Sequence, residues 1–152
     1  MGTDQDPAAA PAPPGLGVLL FVAYRALEKR AYDAAVAAGA TDLSMAQARI
    51  LQRVGPDGTR VGELADQALV TKQTAGYLVE QLKRAGYVER VPDPRDGRAR
   101  LVRLTARARS FVPVANAEVE RVLAEWEAHV GARAMRGLDE TLSRLWPILD
   151  PA

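Results

Sequence analysis

The chain has no cysteine. That excludes a disulfide framework, a thiol nucleophile, a thiolate metal site and a cysteine-based redox switch. Its one histidine is His129, so a histidine-based catalytic pair has a single candidate member, and a metal site would have to be built almost wholly from carboxylates. No glycine-rich phosphate loop and no metal-ligand spacing occurs, so no metal or other cofactor is expected. No apolar run is long enough to span a bilayer. The first fourteen residues are rich in Pro and Ala and carry two acids but no Lys or Arg, the reverse of a secretory signal. Nothing here fills the roles of an active site. The expectation is a cytoplasmic, non-enzymatic chain that engages no membrane, with residues 1–14 as a disordered leader.

What is present suits one folded, soluble domain: 48% hydrophobic and 26% charged residues over 152 positions. The net charge of +1 hides an uneven distribution. Between Arg60 and Arg109 there are eleven Lys/Arg and six Asp/Glu, a net of +5, against −4 for the remainder. A basic middle flanked by acidic ends is the footprint of a polyanion-binding module, or else an uneven solvated surface.

Apolar spacing predicts the elements. Leu16, Leu20, Ala23, Tyr24, Leu27 and Ala31 recur three and four apart, giving a helix over 15–38 that Gly39 ends. Ser44-Met45-Ala46-Gln47 is a capping box opening a second helix, which turns Ile50, Leu51 and Val54 inward and stops at Gly55-Pro56-Asp57-Gly58. Thr59-Arg60-Val61 has room only for a small edge strand. A short helix follows over 61–67, then a tight connection. Thr71 caps a helix reaching Arg84, with Ala75, Leu78, Val79 and Leu82 inward. Strands are expected at 87–91 and 100–104 around turn chemistry at 92–97. A helix starts from Thr105, and Pro113 is expected to kink or restart it. Gly131 separates it from a last helix carrying Met135, Leu138, Leu142, Leu145 and Leu149.

Two short helices joined by a tight turn and followed by a hairpin are the winged form of the helix-turn-helix. On the second helix, Thr71 and Thr74 offer short hydroxyls to phosphate or a thymine methyl, and Lys72 neutralises phosphate. Gln73 can pair with an adenine edge, Gly76 lets backbone approach closely, and Tyr77 offers a ring and a hydroxyl. In the hairpin, Arg90, Arg95, Arg98, Arg100 and Arg103 surround a glycine-containing loop. An arginine at such a tip can enter a narrow minor groove, and Asp96 is placed to pair with the Arg98 guanidinium. The plainer alternative is a solvated helix face and a soluble turn. In the terminal helices Leu16, Leu19, Leu20, Trp126, Leu138, Leu142, Leu145, Trp146 and Leu149 are many apolar groups for one small chain to bury. A second copy is expected to cover them, with an intramolecular core as the alternative. A two-fold dimer calls for a palindrome with half-sites about 10 bp apart.

The run Asp96-Gly97-Arg98-Ala99-Arg100-Leu101-Val102-Arg103-Leu104-Thr105 resembles the wing signature of the MarR family: Asp, any residue, Arg, five residues, then Leu-Thr. Leu82, Gly86, Val88, Glu89, Arg90, Asp93-Pro94, 61–65 and 71–82 are also similar. The resemblance implies a mainly α fold with a small β-hairpin wing. A winged helix-turn-helix domain (41–105) would sit between an N-terminal dimerisation helix (15–40) and C-terminal dimerisation helices (106–152). It implies an obligate homodimer on double-stranded DNA, with helix 71–84 in the major groove and Arg98, oriented by Asp96, in the minor groove. It further implies a repressor of a palindromic operator, released by a small aromatic or phenolic ligand, for which Tyr24, Met45 and Arg49 would line a cleft. The chain departs from the pattern at Gly76-Tyr77, where relatives often carry Ser then Arg or His, and at Pro113. The competing reading is a winged-helix architectural or protein-interaction module, whose DNA binding would follow salt and ignore sequence.

Overall fold

The computed structural model describes residues 14–149; all of the expected leader but Pro14 lies outside them. Eight elements follow one another: α1 (Leu16–Ala37), α2 (Met45–Leu51), α3 (Val61–Ala68), α4 (Lys72–Arg84), β1 (Val88–Asp93), β2 (Asp96–Leu104), α5 (Ala106–Val130) and α6 (Ala132–Leu149). None of these helices is long and apolar enough to cross a membrane.

The helix starts follow local chemistry. Ser44 Oγ accepts from the Gln47 N–H at 3.2 Å, and Gln47 Oε1 accepts from the Ser44 N–H at 2.8 Å, so both arms of the capping box form. Thr71 and Thr105 cap α4 and α5 in the same way, accepting from the N–H groups of Thr74 and Ala108. The turn between α3 and α4 carries a feature that no glycine signals. Leu69 adopts φ 53° and is 92% exposed, a left-handed conformation that costs a non-glycine residue about 1 kcal/mol.

The core of the lobe gathers α2, α3, α4 and the hairpin. Ile50, Leu64, Val79, Leu82 and Val102 are fully buried, each contributing about 1.5–3 kcal/mol of apolar burial. Tyr87 is buried beside them and donates to Asp42 at 2.5 Å. Burial first, and that bond second, push its hydroxyl up to about 12. Arg107 of α5 completes the group, bonding both Asp42 oxygens at 3.0 and 3.1 Å and lying over the Tyr87 ring at 4.2 Å.

The hairpin differs from the sequence expectation. The strands are longer, and the turn is only Pro94-Arg95, because Asp93 pairs with Asp96. The next pair is Pro92 with Arg100, so Gly97, Arg98 and Ala99 have no partners on β1 and form a bulge in β2. Pro92 is tolerated within β1 although it cannot donate to the ladder. The expected edge strand at 59–61 is a single bridge, Thr59 to Val102, with bonds of 2.9 and 2.8 Å.

Pro113 does not restart α5, which runs unbroken from Ala106 to Val130. The helix lies along α1, tied by Arg30, which reaches Glu118 at 2.5 Å and Glu125 at 3.0 Å. Arg121 also pairs with Glu118. Beyond Gly131 (φ 91°) comes α6, none of whose side chains is buried.

The Thr59–Val102 bridge brings Gly58 close against the hairpin. At φ 97° an added Cβ would lie 2.9 Å from Leu101 Cβ and 3.2 Å from the Val102 oxygen. Gly58→Ala is therefore expected to destabilise the fold by about 1–3 kcal/mol in urea unfolding. Gly55→Ala, whose new methyl meets only Thr59 Oγ1 at 3.6 Å, should stay within about 0.5 kcal/mol of the parent.

Candidate nucleic-acid interface

The outward face of α4 carries the residues expected there. Lys72, Gln73 and Tyr77 are exposed, while Ala75, Leu78, Val79 and Leu82 hold the opposite face in the core. Thr71 and Thr74 are exposed as well, but their hydroxyls bond each other at 2.8 Å and Thr71 Oγ1 also serves the cap at 3.1 Å. A Cβ on Gly76 would meet nothing within 4 Å, so the fold itself does not demand glycine there; what it leaves is bare backbone on the outer face.

The wing arginines divide into two groups. Arg90 reaches Glu80 of α4 at 2.8 Å, locking β1 onto that helix, and Arg103 pairs across the strands with Glu89 at 2.9 Å. Both therefore have their charge balanced within the chain. Arg95, Arg98 and Arg100 are exposed. Among the described residues neither Arg98 nor Arg100 has an ion-pair partner; Arg95 lies 3.6 Å from Asp93.

The expected Asp96–Arg98 side-chain pair does not form. Asp96 Oδ1 accepts from the Arg98 backbone N–H at 3.1 Å, and its other oxygen lies 3.7 Å from Arg60. Asp96 thus shapes the backbone that carries Arg98 and leaves the guanidinium unpaired. Arg98 itself sits in the bulge and not at the tip of the turn.

The anchor that sequence reasoning missed is Asp93. Its carboxylate is 2% exposed as a residue and takes three donors: Arg60 Nε at 2.9 Å, Arg60 Nη2 at 2.6 Å and the Arg95 N–H at 2.9 Å. The Arg95 N–H, then the Arg60 guanidinium, hold its carboxyl below the usual 3.8. Arg60 leads directly into α3, so this pair fixes the wing to the helix-turn-helix. The only local signal was an Asp two residues before an amide it could cap.

A second missed arrangement lies on α4. Gln81 Nε2 donates to the Tyr77 hydroxyl at 2.8 Å, and Gln47 Nε2 donates to Gln81 Oε1 at 3.1 Å.

The three residues expected to line a ligand cleft are not equivalent. Tyr24 borders an open groove of about 1020 Å³ between α1, α5 and α6. Met45 and Arg49 do not line it. Arg49 holds Glu28 through two bonds of 2.6 and 2.8 Å, and this pairing, outweighing burial, lowers the Glu28 pKa. The expectation of Arg49 as a ready anion partner is thereby corrected: its charge is already matched. Trp126, Leu20, Leu138 and Leu142 line the groove, and Leu16, Leu145, Trp146 and Leu149 stand exposed on α1 and α6.

Helix-turn-helix, anchored wing and uncompensated arginines define a winged helix-turn-helix protein. A family profile described as MarR family matches residues 41–99. The transcriptional activatory protein BadR of Rhodopseudomonas palustris is 31% identical over 132 residues, covering 86% of this chain and 74% of that protein. The crystal structure of apo MarR from E. coli superposes with a TM-score of 0.69 at 21% identity, over 90% of this chain and all of that one. A Mycobacterium tuberculosis MarR family protein in complex with salicylic acid gives 0.62 at 28% identity, over 90% and 99%. The chain belongs to the MarR family of transcriptional regulators.

A carboxylate held below its ordinary pKa adds stability that is complete above the ordinary value and fades as pH falls through the lowered one. The Asp93 clamp is therefore whole at neutral pH and lost in acid below 3.8. Asp93→Asn is expected to speed amide exchange across the wing at pH 7, with the gap from the parent closing as pH falls below that value. An equal gap at both ends of the range would show that Asp93 does not clamp the wing as a carboxylate.

Proposed function

We propose that the chain acts as a homodimeric, sequence-specific DNA-binding regulator. Residues 15–40 and 106–152 join the two copies, and residues 41–105 read the duplex. The observation that carries this reading is the placement of two uncompensated arginines, Arg98 and Arg100, on a wing locked by Arg90 and Glu80 to the helix that presents Lys72, Gln73 and Tyr77. In this reading α4 enters the major groove, with Thr71, Lys72 and Thr74 on phosphates, and Gln73, Gly76 and Tyr77 at base edges. Arg98 enters the adjacent minor groove; Arg95 and Arg100 follow its phosphates.

The dimer is supported by the exposed apolar faces of α1 and α6, which border one groove and leave α6 without a buried side chain. Two lobes related by a two-fold axis then call for a palindrome with half-sites about one helical turn apart. Repression follows where that operator overlaps a promoter, and activation where it lies upstream; the relative BadR is named an activator. A small aromatic ligand of the kind bound by the M. tuberculosis relative would enter beside Tyr24, in the groove between α1, α5 and α6 that Met45 and Arg49 do not line. Such a ligand would act by favouring a lobe spacing that no longer fits the operator.

Selection of bound duplexes from random DNA, alongside sedimentation of the free protein, tests this. The expected result is a dimer that enriches a palindrome. Arg98→Ala should weaken binding to it by about tenfold or more, and Gln73→Ala should relax discrimination at one base per half-site by about 1–3 kcal/mol. A stable monomer, or equal affinity for scrambled sites, would defeat the proposal.

A further inference from the structure

A chain of hydrogen bonds with one direction ends on the outer face of α4. It starts at the backbone N–H of Ser44, which donates to Gln47 Oε1 at 2.8 Å. A backbone N–H can only donate, so the Gln47 oxygen is fixed on that side and its NH₂ must face the other way. That NH₂ donates to Gln81 Oε1 at 3.1 Å. The Gln81 NH₂ therefore faces Tyr77 and donates to its hydroxyl oxygen at 2.8 Å. At the end of the chain the phenol oxygen is an acceptor toward the protein, and its own hydrogen is left to point away. Tyr77 is 63% exposed, one turn beyond Gln73 and next to the bare backbone of Gly76.

We infer that Tyr77 is a specificity-determining residue whose hydroxyl is held as a donor, selecting a base with an acceptor on its major-groove edge. Guanine O6 and N7, thymine O4 and adenine N7 satisfy it; cytosine, which shows only its amino donor there, does not. A phosphate would not need such an arrangement. Its oxygens accept on all sides, so a freely rotating hydroxyl would serve as well. Fixing the direction of a hydroxyl matters only where donors and acceptors must be told apart, and the major groove is where they alternate. The inference rests on the reading that α4 lies in that groove.

The polarity can be reversed without removing the chain. In Gln81→Glu the carboxylate accepts from Gln47 Nε2 and also from the Tyr77 O–H. The hydroxyl hydrogen then turns inward and a lone pair faces out. The experiment is selection from random duplexes with the full chain and with its Tyr77→Phe and Gln81→Glu variants, read as base preference at each position so that the overall affinity lost to the added charge does not enter. The parent is expected to exclude cytosine at one contacted position of each half-site. Tyr77→Phe should relax that exclusion about five- to tenfold, the worth of one neutral hydrogen bond. Gln81→Glu should shift the same position toward cytosine or adenine, which present amino donors. A parental motif retained in both variants overturns the inference and leaves the DNA-reading role of α4 intact. A uniform loss of affinity in Tyr77→Phe, with preference unchanged, places the hydroxyl on phosphate and also overturns it. A parent with no base preference anywhere defeats the inference together with the reading of α4 beneath it.

Discussion

The buried carboxylate of Asp93 is the contact on which the rest of the interface depends. A lone carboxylate out of water is costly, and this one is stabilised only because three donors converge on it. Two come from Arg60, immediately before α3, and one from the turn of the wing itself. The constraint therefore couples three segments: the entry to the helix-turn-helix, the end of β1 and the two-residue loop. Loss of Arg60 would leave the buried charge with the Arg95 N–H as its one remaining hydrogen-bond donor of the three, so the pair holds the three segments in one geometry. Because that geometry is fixed at its base, the bulge at Gly97, Arg98 and Ala99 projects in a defined direction while the Arg98 guanidinium keeps its charge unpaired.

The link between the terminal helices and the lobe has the same character. Glu28 of α1 holds Arg49 of α2, the Tyr32 hydroxyl donates to the Leu43 carbonyl at 2.6 Å, and Asp42 gathers Tyr87 and Arg107. These are directional bonds, several of them charged, and they set an orientation as well as a distance. Apolar packing alone would let the lobe slide. A polar joint of this kind holds one lobe position until a competing group replaces one of its members, which is the property a two-state regulator needs.

Local periodicity made the helices legible. The three- and four-residue spacing located every helix to within a few residues, and the Ser44–Gln47 capping box appeared with both of its bonds. What was misread depends on partners distant in sequence. Spacing alone made Asp96 the natural partner of Arg98, yet the carboxylate that matters is Asp93, chosen by Arg60 thirty-three positions away. Arg49 read as an open anion site because its partner, Glu28, lies twenty-one positions earlier. Pro92 read as the start of a loop, although an edge position tolerates a missing N–H. Pro113 read as a point of kink or restart, and the restart does not occur: a long helix held by Arg30, Glu118 and Glu125 against α1 survives the loss of one bond. Leu69 gave no sign at all, because a leucine in the left-handed region is chosen by the turn and not by its own preference.

Charge sorting follows from the same non-local pairing. Of the eleven basic residues between Arg60 and Arg109, Arg60, Arg90, Arg103 and Arg107 are balanced within the chain by Asp93, Glu80, Glu89 and Asp42. These four build the lobe and offer little to a polyanion. Lys72, Lys83, Arg84, Arg98, Arg100 and Arg109 have no ion-pair partner among the described residues; in the proposed reading Lys72, Arg98 and Arg100 are the ones beside the duplex, where counterions would be displaced. Composition counts all eleven alike; folding divides them into those matched by carboxylates within the chain and those left unpaired on its surface. The electrostatic footprint is accordingly smaller than composition suggests, because the charges of Arg60, Arg90, Arg103 and Arg107 are taken up in holding the lobe and its wing together.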